Sequence, residues 1–344
     1  MIKLLSMQNK KKNLYKQKLD KQKFKLSNID QLQNIDFNKS TIYLTRLYDY
    51  KLKNSELLSK SFENTILKLE KENHNCHLLP TSLDYKIYEN KKEVYRFFDY
   101  TNIKYPKTFI INNLDNLDEI IDEINYPVIT KHPYSCSSFG MNNFDNYNDK
   151  IDLKNKLTSE LNNHKEIIIQ KKIMFTKECR LTCINGKIFH GYYRHKKNKF
   201  TMSAATCEGG KIDFNIDLQD KKLQKIARVF YEKTNMKIYG LDVAWENNNF
   251  DDEPYILEVS PIFDLNPEKI TENYKSFKNT NEYISLRYNN FKKYYNLIDN
   301  YSTEFFKKPI IFCDIDNTIS KSEIRIKNNR YFKDNKYKIN NNSF

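Results

Sequence analysis

The sequence predicts an α+β protein built in several lobes. Three observations lead there. Segments with apolar residues at helical spacing alternate with short apolar runs of strand length. Asn185-Gly186 sits between two strand-like runs, a hairpin signal because both turn positions require φ > 0. Two further strand-like runs, around Asp242 and Glu258, each hold one carboxylate among apolar residues.

Taken in chain order, residues 1–38 are polar and lysine-rich and read as an arm, disordered or helical. Thr41 to Thr45 reads as a strand. Ser55 to Glu72, with Leu57, Leu58, Phe62, Ile66, Leu67 and Leu69 at near-helical spacing, reads as an amphipathic helix, and Cys76 to Leu79 as a second strand. Lys91 to Asn102 is helical, with Val94, Phe97 and Phe98 on one face. Thr108 to Ile111 is a strand, Leu114 to Ile124 a helix, and Tyr126 to Lys131 a strand that runs into a Ser-rich loop over 132–141. Glu166 to Gln170, Glu178 to Ile184 and Lys187 to Arg194 are strands. Leu218 to Thr234 is an amphipathic helix, Ile238 to Trp245 and Pro254 to Glu258 are strands, and Thr280 to Asp299 is a late helix. Lys308 to Cys313 is an apolar strand leading into Asp314-Ile-Asp316-Asn-Thr318. No internal repeat is visible.

The chain has 344 residues, 39% hydrophobic and 30% charged, enough to bury a substantial core. Its net charge of +14 is concentrated at the ends: residues 1–26 carry +8 and residues 321–344 carry +5, which leaves +1 for everything between. A near-neutral middle argues against a specific nucleic-acid surface. No run approaches the roughly 20 apolar residues of a membrane span, and the N-terminal segment has no apolar core of a signal peptide. The six cysteines, Cys76, Cys136, Cys179, Cys183, Cys207 and Cys313, form no Cys-x-x-Cys pair, which points away from zinc and toward a reducing, cytoplasmic compartment. Cys179 and Cys183 share one strand face and read as core.

The chemistry-bearing residues lie between Lys91 and Ser260. Lys131 ends a strand, and the loop after it reads His-Pro-Tyr-Ser-Cys-Ser-Ser-Phe-Gly-Met. Backbone N–H groups and hydroxyls of such a loop can cover phosphate oxygens, with the lysine as a point charge; a polar surface loop would look the same. Asp242 and Glu258, on successive strands, are costly in apolar surroundings unless paired or shared by a cation. Mg²⁺ takes a few carboxylates together with phosphate oxygens and water.

With these residues in view, the order of elements over about 41–270 resembles the ATP-grasp ligases, the superfamily of D-alanine–D-alanine ligase, glutathione synthetase and the ribosomal-protein glutamate ligases. The resemblance implies a small α/β N-terminal lobe, a central α/β lobe and a C-terminal antiparallel sheet lobe. It implies ATP and Mg²⁺ (or Mn²⁺) as cofactors. Lys91 looks like the first ATP lysine and Lys131 the second, with Ser137, Ser138 and Gly140 in the loop that closes on the phosphates. Gln170, Lys171, Lys172 and Ile173 stand where the family's hinge strand binds adenine. Glu178-Cys-Arg180 is similar to an acid-x-Arg motif whose acid takes the ribose and whose arginine faces substrate. Arg194 stands at a second anion-binding position, and Asp242, Glu258 and Ser260 match the metal-binding positions. Three features depart from the pattern: Ser260 stands where the family has Asn, Cys136 stands where glycine is usual, and Thr201 to Glu208, before the retained Gly209-Gly210 pair, match no particular subfamily.

The resemblance implies a ligase that joins a small-molecule or peptide carboxylate to an amine or other nucleophile through an acyl phosphate, and it allows a homodimer. Asp314, Asp316 and Thr318 resemble the first motif of haloacid-dehalogenase-like phosphohydrolases, with Asp314 as nucleophile, Asp316 as acid/base and Thr318 as helper, at the start of a Rossmann-like strand. Only about 26 residues follow Thr318, too few for the remaining strands of that fold, so no phosphatase activity is expected of this chain, and the motif reads either as a truncated remnant or as the front of a longer ligase–phosphatase fusion. The organisation expected is thus an arm over 1–38, an α/β lobe over 39–90, the ATP-grasp domain over 91–275, a helical connector over 276–307, and a truncated haloacid-dehalogenase-like start with a polar tail over 308–344. Two other readings stay open at this point: a phosphohydrolase fragment fused to a nucleotide-binding module, and a non-catalytic ATP-binding protein.

Overall fold

A computed structural model describes residues 2–6, 24–28, 42–46, 55–72, 77–88, 90–115, 117–134, 141–163, 165–198, 209–261 and parts of 201–204 and 282–298. The segment expected to start a phosphohydrolase strand, 308–344, lies outside these residues.

Three sheets organise the chain. The first is parallel, in the order β2 (Phe24–Asn28), β1 (Ile2–Ser6), β3 (Ile42–Arg46), β4 (His77–Leu79), joined to helices α1 (Ser55–Glu72) and α2 (Ser82–Tyr88). This corrects the arm expected over 1–38, because β1 and β2 are strands in register with β3. Parallel pairing joins segments distant in sequence, so two short strands flanked by lysines leave no local period.

The second sheet is antiparallel, in the order β5 (Thr108–Ile111), β8 (Ile167–Lys171), β6 (Val128–Lys131), β7 (Asn142–Phe144). Its central strand β8 is buried on both faces, which explains the unbroken Ile-Ile-Ile run. Ile167 and Ile169 pack with Ile121 of α4 (Leu117–Glu123) and with Leu153 and Leu157 of α5 (Lys150–Asn163), while Ile168 joins the neighbouring core. Strand β7 and helix α5 go unread in the sequence. The inner face of α5 is carried by Leu153 and Leu157 with Leu161 packed beside them, a narrow stripe that the exposed Ile151 blurs.

The third sheet, β11 (Lys211–Asp213), β10 (Lys187–His195), β9 (Lys177–Ile184), β12 (Ile238–Ala244), β13 (Tyr255–Ser260), is antiparallel throughout. Its two faces are chemically distinct because side chains alternate along each strand. Cys179, Leu181, Cys183, Tyr239, Leu241 and Val243 form one face. They pack against Val94, Tyr95 and Phe98 of α3 (Lys91–Thr101) and Leu223, Ala227 and Phe230 of α6 (Lys221–Thr234). Both cysteines are free and fully buried, as the core reading expected. Each large apolar side chain so buried contributes about 1.5–3 kcal/mol. The opposite face carries Glu178, Arg180, Tyr192, Arg194, Asp242 and Glu258.

Helix ends follow from capping. The Asp220 carboxylate accepts hydrogen bonds from the Lys222 and Leu223 N–H groups, so α6 begins at Lys221 and not at Leu218. Asn90 caps α3 in the same way, and Asn102 and Asn235 end α3 and α6 in the left-handed conformation. With six glycines in the chain, asparagine takes the role glycine usually has at such ends. The late helix expected over Thr280 to Asp299 is helical at the residues described within it.

The hairpin between β9 and β10 turns at Asn185 and Gly186, with φ of 48° and 78°. A Cβ at Gly186 would lie 3.0 Å from Tyr231 Cβ and 3.1 Å from its ring. Gly186→Ala is therefore expected to lower the unfolding free energy by about 1–3 kcal/mol. Denaturant titration checks this, and a variant as stable as the parent contradicts it.

Candidate active site

The site is built on the polar face of the third sheet. Across β10, β9, β12 and β13, Tyr192 pairs with Arg180, Arg180 with Asp242, and Asp242 with Glu258, so the four side chains form one row. The next row places Arg194 opposite Glu178. Alternation makes these residues neighbours in space although they span 80 positions of sequence.

Asp242 is 5% exposed and lies between two guanidinium groups. Arg180 Nη1 is 2.8 Å from Oδ1 and Arg194 Nη2 is 2.8 Å from Oδ2. The Arg180 contact is close but poorly aligned, so Oδ1 accepts no hydrogen bond of good geometry. Arg194 Nη2 also meets Glu178 Oε1 at 2.7 Å, while its Nε is buried without an acceptor. Burial alone would raise the Asp242 carboxyl, but Arg180 and Arg194 together overcome it and hold the carboxylate below its ordinary range. Burial pushes Glu178 up to about 7, against the pull of Arg194.

Two lysines approach from other elements. Lys91 opens α3, where its N–H donates to the Pro133 carbonyl at 2.9 Å and the Asn90 side chain donates to the Tyr134 hydroxyl at 3.1 Å. These bonds tie the helix start to the segment leading into the expected phosphate loop. Lys91 Nζ lies 3.5 Å from Glu258 Oε1. Lys131 is 8% exposed, and its ammonium donates to Gln170 Oε1 at 2.7 Å. Gln170 Nε2 in turn donates to Thr108 Oγ1 at 2.8 Å, and Thr108 donates to the Pro106 carbonyl at 2.7 Å. Burial lowers the Lys131 pKa, with Glu258, Glu178 and Asp242 opposing it, so all three carboxylates act on this lysine.

The structure thus brings Lys91, Lys131, Glu178, Arg180, Arg194, Asp242 and Glu258 to one site. Ser260 follows on β13, opposite Gly240. The Glu178 carboxylate, expected on a ribose, is paired with Arg194, and the Gln170 side chain holds Lys131. Lys171 and Lys172 reach Glu246 at 2.6 Å and Asp145 at 2.8 Å, and their N–H groups donate to the Lys107 and Pro127 carbonyls. Ile173 follows them and is buried. Ser137, Ser138 and Gly140 lie outside the described residues, as do Asp314, Asp316 and Thr318. Sequence reasoning missed Tyr192, which the parity of Arg194 would have placed on the site face. It also missed the supporting role of Thr108, for which a lone threonine in a strand gives no signal.

The sequence matches the RimK-like ATP-grasp domain over residues 88–273, more than half of the chain. The chain belongs to the RimK-like ATP-grasp family. It is an ATP-dependent ligase, and ATP with Mg²⁺ is the cofactor pair of such enzymes. D-alanine–D-alanine ligase from Bacillus anthracis has 16% identity with it, covering 88% of this chain and 97% of that one, at a TM-score of 0.58. A D-cycloserine synthetase has 12% identity, covering 76% and 91%, at 0.55. An N5-carboxyaminoimidazole ribonucleotide synthetase in its ADP complex has 15%, covering 83% and 70%, at 0.51. At these identities the likeness is one of fold. No curated protein sequence matches the chain. Among the described residues no helix is long and apolar enough to cross a membrane.

Asp242 and Glu258 fit the magnesium of an ATP-grasp enzyme. They are cross-strand neighbours, and Asp242 Oδ1 is a buried oxygen that no aligned donor satisfies. No group of three or more His, Cys, Asp or Glu side chains suited to a metal occurs among the described residues. A two-carboxylate site of this kind suits a cation that completes its shell with water or phosphate oxygens.

Glu178 sets a pH dependence. Its folded-state pKa is raised from 4.5 to about 7, so its contribution to stability is complete below the unfolded value and is lost as pH rises through about 7. Glu178→Gln is expected to remove that component, flattening the decline between about pH 4.5 and 7 by up to about 1.4 kcal/mol per pH unit. Unfolding titrations at stepped pH measure it, and an unchanged slope contradicts it.

Proposed function

We propose that this enzyme is a Mg²⁺-dependent carboxylate–amine ligase that works through an acyl phosphate. The observation that carries this reading is the row Arg180–Asp242–Glu258 with Arg194 and Glu178 beside it, met by Lys91 and Lys131 from other elements: four cations and three carboxylates at one site. Such a set suits a triphosphate with a divalent cation and an anionic acceptor, because phosphoryl transfer depends mainly on positioning and charge neutralisation.

In this mechanism an oxygen of the acceptor carboxylate attacks the γ-phosphorus, and the bond to the β-phosphate oxygen breaks to release ADP. An amine nitrogen then attacks the acyl carbon, phosphate leaves, and the nitrogen loses a proton. Lys91 and Lys131 hold phosphate oxygens. Arg180 and Arg194 hold the acceptor carboxylate and the tetrahedral oxyanion. Asp242 and Glu258, with Ser260 beside them, hold Mg²⁺, which when bound neutralises charge on the phosphoryl oxygens. Adenine lies against Gln170–Ile173 and uses main-chain groups other than the Lys171 and Lys172 N–H, both already donated. By the family resemblance the loop over 137–140 would exclude water, which limits hydrolysis of the acyl phosphate. The substrates belong to the class of small or peptide carboxylates and amines. The free, buried cysteines fit a cytoplasmic setting.

The test is ADP release in the presence of an ¹⁸O-labelled carboxylate and an amine panel. The reading expects turnover that needs both substrates and carries label into the released phosphate. ADP release without transfer of label, or with no need for a carboxylate, contradicts it. Lys131→Ala is expected to weaken ATP binding by about a hundredfold or more, with unchanged circular dichroism. Calorimetry measures this, and normal nucleotide affinity in the variant contradicts the site assignment.

A further inference from the structure

Asp242 is asked to do two things at once. The proposed function gives it to a divalent cation, yet both its oxygens face guanidinium groups at 2.8 Å. A cation approaching a carboxylate oxygen that already faces a guanidinium in a buried site is repelled by that charge, so the two contacts compete with metal binding. Release of one arginine from Asp242 relieves that repulsion.

The structure distinguishes the two. Arg194 is held on two sides, by Asp242 and by Glu178 at 2.7 Å, so losing Asp242 leaves it anchored. Among the described residues Arg180 has one ion-pair partner, Asp242, and that contact is the poorly aligned one. Its side chain is also nearly buried, at 14% exposure, so it would be costly to leave uncompensated. We propose that Arg180 is a displaceable counter-cation. It neutralises Asp242 until a divalent cation takes that carboxylate, and its guanidinium then turns to the anionic ligand. Arg194, clamped by Glu178, stays in place. This rests on the assignment of Asp242 as a metal-binding residue. The displacement links metal loading to the readiness of the anion-binding site, because Arg180 is free to hold the acceptor once Asp242 holds the cation.

The consequence runs against simple intuition: removing a site residue strengthens metal binding. Free Mn²⁺ is titrated into the full chain without nucleotide and followed by electron paramagnetic resonance. Arg180→Met is expected to bind Mn²⁺ about tenfold tighter than the parent, because the competing charge is gone. Arg180→Lys, which keeps the charge, is expected within about threefold of the parent. Circular dichroism checks the fold, and Arg180→Gln replaces the Met variant if that does not fold. Mn²⁺ binding that is lost in Asp242→Asn but unchanged or weakened in Arg180→Met overturns the displacement. Mn²⁺ binding that is indifferent to Asp242→Asn overturns the metal assignment itself, and the displacement with it.

Discussion

A carboxylate buried on a sheet face must be balanced, and Asp242 is balanced by two arginines that reach it from neighbouring strands. This requirement organises the site. Arg180 must stand directly across from Asp242 on β9, and Arg194 one strand further on β10. A slip of one residue in either pairing would turn these side chains into the Cys179–Leu181–Cys183 core and bring core residues to the surface. Register is therefore fixed from both sides at once, by apolar packing on one face and by charge on the other. Burying these charges is not in itself a gain in stability, and the same volume filled with apolar side chains could hold the fold as well. The arrangement makes sense as chemistry held in place by the core beneath it.

The approach of Lys91 and Lys131 shows how separate lobes contribute to one site. Lys131 comes from the second sheet and is kept as a buried ammonium by Gln170 and Thr108, a chain of hydrogen bonds that ends on a main-chain carbonyl. Lys91 comes from the start of α3, whose apolar side packs on the third sheet and whose first N–H is bonded to Pro133. One helix thus links the core of the third sheet to the segment that leads into the phosphate loop. The Lys91–Glu258 pair closes the site at its more exposed edge.

Much of this was legible in the sequence, for physical reasons that differ by element. Asp242 and Glu258 stood out because a charge in an apolar alternating run has few structural explanations. The β9–β10 hairpin was announced by Asn185-Gly186, and Lys131 by its place at a strand end before a loop of small hydroxyl residues. Partners were not legible. That Glu178 would hold Arg194, or that Gln170 would hold Lys131, depends on cross-strand neighbours which local patterns do not encode. The β1 and β2 strands were missed because a parallel sheet draws its hydrogen bonds from segments far apart in sequence. Helix boundaries slipped where the Asp220 cap started α6 at Lys221, three residues after the apolar period began at Leu218.

The central claim is that nucleotide and metal meet on the polar face of the third sheet, at the Arg180–Asp242–Glu258 row. A crystal structure of the protein with Mg²⁺ and a non-hydrolysable ATP analogue tests it most directly. The account predicts Mg²⁺ at about 2.0–2.1 Å from oxygens of Asp242 and Glu258, with the phosphates within reach of Lys91 and Lys131. Nucleotide bound on another face, or a metal held without Asp242, would contradict it.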